Sequence, residues 1–146
     1  MNLTTFMTSS IIFHEGFADG VTRITRRIAS MTWVILTSFG QLVSSGGTCL
    51  GYTTNNIAKY SVVIELLVEA ISLGIQHSIV HLDSQLVVSQ LNGTYRVQDS
   101  SLLRLYLRVR ILERQFGYIT YFHIFRSHNA LSDALANYVM NWHLSN

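Results

Sequence analysis

Proline is missing from all 146 residues, against an average usage of about 5% in soluble domains. Cysteine is nearly missing too. Cys49 stands alone, which excludes an internal disulfide and any metal cage built from cysteines, and fits a reducing compartment. Charged residues are scarce at 12%, while hydrophobic ones make up 49%, a balance that excludes a disordered chain. No apolar run reaches the roughly 18 residues of a spanning helix, so a soluble globule with no membrane partner is expected. The opening stretch MNLTTFMTSSII lacks the basic start of a secretory signal and the arginines of an organellar transit peptide. An intracellular location is expected, in the nucleus, the cytoplasm or an organelle that encodes the chain, with no address to choose among them. A net charge of +2 is too small to mark a nucleic-acid binder by itself. Any basic footprint has to be local, and Arg23, Arg26 and Arg27 form one such cluster. The six histidines show no zinc-like spacing, and His14, His77, His81 and His123 fall on expected strands or their ends, where structural roles suit them.

The length suits one domain with a real core. Residues 11–18 form an expected strand that delivers Asp19-Gly20 to a turn, although Gly16 weakens it. Residues 33–37 and 42–50 read as two β segments joined at Phe39-Gly40-Gln41, with a bulge expected at Gly46-Gly47. Thr53-Thr54-Asn55-Asn56 supplies helix-capping residue types, and apolar residues then recur at helical spacing over 57–73, with Gly74 just past the end. Residues 78–82 make a continuous apolar strand, buried on both faces if it pairs in parallel. A short helix follows over 84–91, broken by Asn92-Gly93. A longer one spans 100–116, on which most of Arg104, Arg108, Arg110 and Arg114 solvate a face. Residues 119–125 return to strand, and Asn129 or Ser132 opens a last helix to about residue 140. Three strands, a helix, a strand, helices, a strand and a helix make an α/β layered fold, a mixed sheet with an antiparallel meander and parallel crossovers.

The chain turns on IVHLDSQLVVSQ, residues 79–90, where an apolar strand meets Asp83 and becomes a helix. A carboxylate there stands at the carboxyl edge of the sheet, where ligands of open α/β sheets collect, but the Asp-Ser pair also suits a helix cap. Asp19 and Asp133 stand at comparable places, one ending a first strand and one early in the final helix. Spacing alone does not show that the three converge. If they do, hard oxygen ligands at the mouth of a sheet suit Mg²⁺ or Mn²⁺, and phosphoryl chemistry follows.

These residues carry a resemblance to the type 1 ribonuclease H domains, particularly the plant and gypsy-type retroelement branch. Asp19-Gly20 resembles the first-strand motif, Thr54-Asn55-Asn56-Ile57-Ala58 the start of the first long helix, and Asp83-Ser84-Gln85-Leu86-Val87-Val88 the central Asp-Ser motif. Arg126, Asn129 and Asp133 followed by Ala134-Leu135-Ala136-Asn137 resemble the last. The stretch from Leu91 to Val97, with Gly93, Tyr95 and Arg96, resembles the segment between the family's helices. The likeness runs over residues 11–140, leaving 1–10 and 141–146 as terminal extensions. It implies a ribonuclease H-like fold with a five-stranded mixed sheet flanked by helices. It also implies two Mg²⁺ or Mn²⁺ ions held by four carboxylates, hydrolysis of the RNA strand of an RNA-DNA hybrid, and descent from a larger polyprotein. A monomer is expected. Asp19, Asp83 and Asp133 match three of the metal-holding acids. Asn55, Arg126 and Asn129, with Arg23, Arg26 and Arg27, are the expected contacts to nucleic acid, although Asn55 reads equally well as a helix cap. His128 lies near the place of a mobile histidine of the family, and a loop polar role stands beside a proton-transfer role for it.

The fourth acid is replaced. Where the family carries Glu after Thr-Asn-Asn-x-Ala, this chain has Lys59, whose ammonium cannot coordinate a cation and reverses the local charge. Glu65 lies six positions on, about 240° round the helix, and Glu69 lies about 15 Å along it; neither takes its place. The stretch after Gly20, VTRITRRIASMT, stands where the family has a Gly- and Pro-rich loop close to the hybrid, Phe125 where it often has Pro, and Ser132 where Ala is usual. The changes from Glu to Lys, Gly to Arg or Ser and Pro to Phe or Leu are reachable by G-to-A and C-to-T base changes, so decay of a retroelement copy is the expected history and would explain the missing prolines. C-to-U editing is a rival source of the pyrimidine half only. The expected function is a retroelement-type ribonuclease H domain whose cleavage is weak or lost. A non-catalytic nucleic-acid-binding module and a relic without function are the alternatives.

Overall fold

The computed structural model describes residues 12–23 and 28–125. Three strands open it, β1 (Phe13–Arg23), β2 (Ile28–Thr37) and β3 (Leu42–Tyr52), followed by helix α1 (Asn55–Ser72) and strand β4 (His77–Leu82). Helices α2 (Gln85–Leu91) and α3 (Ser100–Glu113) lead to β5 (Tyr118–His123). The strands lie in the order β3-β2-β1-β4-β5. The first three pair antiparallel, and β4 is parallel to both β1 and β5. This is the expected five-stranded mixed sheet with helices. Residues 129–140, expected to form a last helix, lie outside the described residues, and no described helix is long and apolar enough to cross a membrane.

Two glycines make room for large side chains, one between the sheet and α1 and one within the sheet. A Cβ on Gly16 would stand 2.9 Å from Leu66 Cδ1, so the residue that weakens β1 by propensity is the one that lets α1 lie close on it. Leu66 is fully buried, and covering a side chain of that size contributes about 2 kcal/mol. Gly46 serves Trp33 in the same way, since a Cβ there would be 2.5 Å from Cζ2 of the indole. The bulge expected at Gly46-Gly47 is therefore absent: Trp33↔Gly46 and Thr32↔Gly47 are regular partners, and the register shifts instead between Ala29 and Ser30 and between Ile35 and Leu36. Along α1 the residues Ala58, Tyr60, Val62, Val63, Ile64, Leu66, Leu67 and Ala70 are buried, against β1, β2 and α3.

Strand β4 alternates half-buried and buried residues, so it does not show the burial on both faces expected of an apolar parallel strand. Its buried side carries Ser78, Val80 and Leu82. Its other side carries His81, whose ring stacks on Phe17 at 4.5 Å and whose Nε2 lies 3.2 Å from Glu15 Oε1. The structural role expected of this histidine is thus a shared ring stack and a carboxylate partner.

Helix α3 is capped by Asp99, whose Oδ1 accepts from the backbone N–H groups of Ser101 at 2.8 Å and Leu102 at 3.3 Å. It ends at Glu113, shorter than the expected 100–116. Arg104, Arg108 and Arg114 are exposed, as a solvating face requires. Arg110 is not among them. It donates to Glu113 at 2.8 Å and to the carbonyl of Leu91 at 2.5 Å, and its guanidinium lies 4.7 Å from the Tyr106 ring centroid. Tyr121 of β5 donates to the same Glu113 at 2.7 Å, and Tyr60 of α1 donates to Gln90 at 2.6 Å. Arg110 therefore ties the end of α2 to α3 and, through Glu113, to β5.

Candidate functional site

Strands β1 and β4 run parallel as neighbours, and their last register pair is Ala18↔Leu82. Asp19 and Asp83 are the next residues on two strands that stand about 4.8 Å apart. The sequence reading ended the first strand at Asp19. Instead β1 loses its β4 neighbour there and continues on β2 alone, from Asp19↔Thr32 to Arg23↔Ile28. Much of the stretch from Val21 to Thr32 is consequently a β-ribbon rather than a loop, because each residue's backbone finds its partner across the hairpin. Arg23 ends β1 at the tip of this ribbon, and Arg26 and Arg27 fall outside the described residues, as do Arg126, His128, Asn129 and Asp133.

Asp83 is free of the capping duty that the sequence allowed it. Ser84 is the N-cap of α2, its hydroxyl accepting from the backbone N–H of Val87 at 3.2 Å. Thr54 does the same for α1, accepting from Ile57 N–H at 3.3 Å, so Asn55 is an exposed residue of the first turn and not the cap. Both caps have the short hydroxyl side chains that reach an orphan helix donor.

With Ser84 at the cap, the Asp83 carboxylate turns to α1. Lys59 Nζ donates to Asp83 Oδ1 at 3.1 Å, and the two side chains are only 16% and 5% exposed. Lys59 is held between the fully buried Ala58 and Tyr60, which fix the second turn of α1 against the sheet. A buried ion pair of this kind is sensitive to loss of either member, at about 3–5 kcal/mol, because the survivor is left as an uncompensated charge.

The other acids of α1 face elsewhere. Glu65 Oε1 accepts from Trp33 Nε1 at 3.2 Å, and Glu69 Oε1 from Ser44 Oγ at 3.4 Å, so both are committed to the meander. Among the described residues no three of His, Cys, Asp and Glu group as they would around a metal ion. A divalent ion on Asp83 Oδ1 would sit about 2.1 Å from that oxygen. That places it within about 5 Å of the ammonium, where repulsion amounts to roughly 6 kcal/mol or more at an effective dielectric near 20. The donor set formed by Lys59 and Asp83 does not fit a divalent cation on that oxygen.

Past the C-terminal end of α2, the segment between α2 and α3 lines a cleft of about 350 Å³ with Gly93, Thr94, Tyr95, Arg96 and Val97 against Gln90, Leu103 and Tyr106. Gly93 has φ +80°, a left-handed conformation that a side chain would strain, and the turn it makes presents Tyr95, 57% exposed. The sequence singled out Gly93, Tyr95 and Arg96 only as part of a resemblance. The Arg110 anchorage beneath them was missed, and its one local signal was the i,i+3 spacing to Glu113.

The profile of the reverse transcriptase-like family matches residues 17–139. Ribonuclease HI of Halobacterium salinarum is 35% identical over 123 residues, which are 84% of this chain and 62% of that protein. The bifunctional protein Rv2228c of Mycobacterium tuberculosis is 34% identical over 125 residues, 85% of this chain and 34% of that one. This chain thus spans less than two thirds of either curated relative. Solved structures agree. RNase H1 of Halobacterium salinarum superposes with a TM-score of 0.78 at 33% identity, covering 88% of this chain and 98% of that one. The N-terminal RNase H domain of rv2228c gives 0.80 at 32%, covering 92% and 98%. LC11-RNase H1, in complex with an RNA/DNA hybrid, gives 0.77 at 26%, covering 84% and 92%. The chain belongs to the reverse transcriptase-like family of ribonuclease H-like domains.

Proposed function

We propose that this is a nucleic-acid-binding domain of the ribonuclease H type, descended from the plant and gypsy-type retroelement branch. It engages RNA-DNA hybrids, and the two-metal hydrolysis of the RNA strand is weak or lost. Hybrid engagement is supported by membership of the family and by the likeness to LC11-RNase H1, whose structure holds an RNA/DNA hybrid. Loss of cleavage is carried by one observation, the 3.1 Å pair between Lys59 and Asp83. Asp19, Asp83 and Asp133 are the residues proposed to have held Mg²⁺ or Mn²⁺, whose chemistry when bound is to activate water and steady the leaving oxygen. In this chain an ammonium already satisfies the central carboxylate. Arg23, which ends β1, and Arg26, Arg27, Asn55, Arg126 and Asn129 are the proposed phosphate contacts, and none of them reads base identity.

The test uses a labelled RNA-DNA hybrid. Binding is expected to be salt-sensitive, indifferent to sequence and stronger than for duplex DNA of the same length, with cleavage in Mg²⁺ or Mn²⁺ far below roughly 1 per second. Turnover at that rate, abolished by Asp83→Asn, would overturn the reading. Equal affinity for hybrid and duplex DNA would remove the hybrid from it.

A further inference from the structure

We infer that Lys59 is the resident counter-cation of the carboxylate edge, so that the folded edge and its contact with a nucleic-acid phosphodiester need no divalent metal. The inference rests on the proposed hybrid engagement only for its second half; the first half concerns the fold alone.

The Asp83 side chain is 5% exposed, and a carboxylate so deeply covered has to be compensated by a nearby positive charge or by several hydrogen bonds. In a site built for metal, the ion does this and the edge is repulsive without it. Here the compensation is covalently part of the chain. Lys59 reaches Asp83 from α1, a helix anchored by Leu66 against Gly16 of β1, so the ammonium is delivered by the same packing that fixes the sheet. Ser84 keeps α2 capped without drawing on the carboxylate. An ammonium carries three donors. One goes to Asp83 Oδ1, and the side chain keeps 16% of its surface exposed, through which a second donor would meet a phosphodiester oxygen. The phosphate would then meet a fixed cation where a metal-dependent relative meets a bound ion.

The test compares the parent chain with Lys59→Gln and Lys59→Arg in two measurements, each in EDTA, in MgCl₂ and in KCl of matched ionic strength. The first is thermal unfolding. The parent and Lys59→Arg are expected to melt at the same temperature in all three buffers, and Lys59→Gln to melt lower in EDTA and recover part of the loss in MgCl₂ but not in KCl. The second is the affinity for a labelled RNA-DNA hybrid. It is expected to be the same for the parent in EDTA and in KCl-matched MgCl₂ to within about twofold, and to become Mg²⁺-dependent in Lys59→Gln by about tenfold. Specific stabilisation of the parent by Mg²⁺, or equal Mg²⁺ responses in parent and Lys59→Gln, would overturn the inference. If Lys59→Gln does not fold, Lys59→Arg and the parent still decide it, because a Mg²⁺-dependent melting point in either contradicts a resident cation. A parent that melts independently of Mg²⁺ but binds no hybrid would sink the proposed function and leave the structural half standing.

Discussion

A glycine can be judged by what its missing side chain would strike. At Gly16 the obstacle is the tip of Leu66, 2.9 Å away, and at Gly46 it is the indole of Trp33, 2.5 Å away. Both obstacles are buried, but a leucine tip is a flexible end with rotamers to yield into, whereas the indole is a rigid ring tied through Nε1 to Glu65. Gly46→Ala is therefore expected to destabilise more than Gly16→Ala, both within about 1–3 kcal/mol, as shifts in the urea midpoint with unchanged slope. The reverse order would mean that Trp33 is free to move. The same reasoning separates Ser84 from its neighbour. Ser84→Ala removes a helix cap and is expected to cost about 1 kcal/mol. Asp83→Asn strands the mostly covered Lys59 ammonium and is expected to cost about 3 kcal/mol.

Among the elements, α3 depends on both its ends. Its cap, Asp99, has a carboxyl pKa lowered by the Ser101 hydroxyl first and then by the backbone N–H groups of Leu102 and Ser101. A carboxylate with a depressed folded value contributes stability that is complete above its ordinary range, near pH 4, and lost as pH falls through the folded value. Amide protection factors in the first turn of α3, taken against the intrinsic exchange rate at each pH, are expected to fall on acidification below about pH 4, and Asp99→Ala to abolish that step. At the other end, Arg110→Ala should unbind α2 from α3 and cost about 2–4 kcal/mol, while the exposed Arg108→Ala stays within about 0.5. A thermal melt of each separates the two.

These elements also show what could be read from the chain alone. Helical spacing and Gly74 located α1 because an amphipathic period is a local signal, and so are the apolar run of β4 and the break at Asn92-Gly93. The extension of β1 to Arg23 was not legible, because pairing with β2 is decided across the hairpin and not by the residues' own propensity. Asp83 and Lys59 were both singled out from motif positions, yet their contact needed the crossover that lays α1 on the sheet. Arg110 looked like its neighbours at one-residue resolution. Only the packing of α2 and α3 makes it different.

For the whole molecule, the polar core sets an alkaline limit. Tyr60 has its phenol pKa raised above 10.0 by burial first and by Tyr106 next, with Arg110 opposing. Tyr121 is also raised well above 10.0, by burial and then by the charge of and hydrogen bond to Glu113. A phenol whose folded value lies above its unfolded value contributes stability that is complete below about pH 10 and lost as pH rises beyond it toward the folded value. The stability curve should therefore fall above about pH 10, and Tyr121→Phe should flatten that limb while lowering the neutral plateau by about 1 kcal/mol for the lost hydrogen bond. An unchanged alkaline limb in Tyr121→Phe would exclude Tyr121 from it.

The ribbon formed by the far ends of β1 and β2 has one more consequence. Up to Ala18 the backbone of β1 lies between two strands, and beyond Asp19 β4 no longer runs beside it. In an antiparallel pair successive N–H groups alternate between the partner and the open side. Deuterium uptake should therefore step along a single strand. Protection is expected to be high and nearly uniform over residues 14–18, then to alternate slow and fast from Gly20 to Arg23. If ligand covers that side, the fast positions should slow when hybrid is added while the slow ones keep their rates, so that one strand reports both its own pairing and what lies against it.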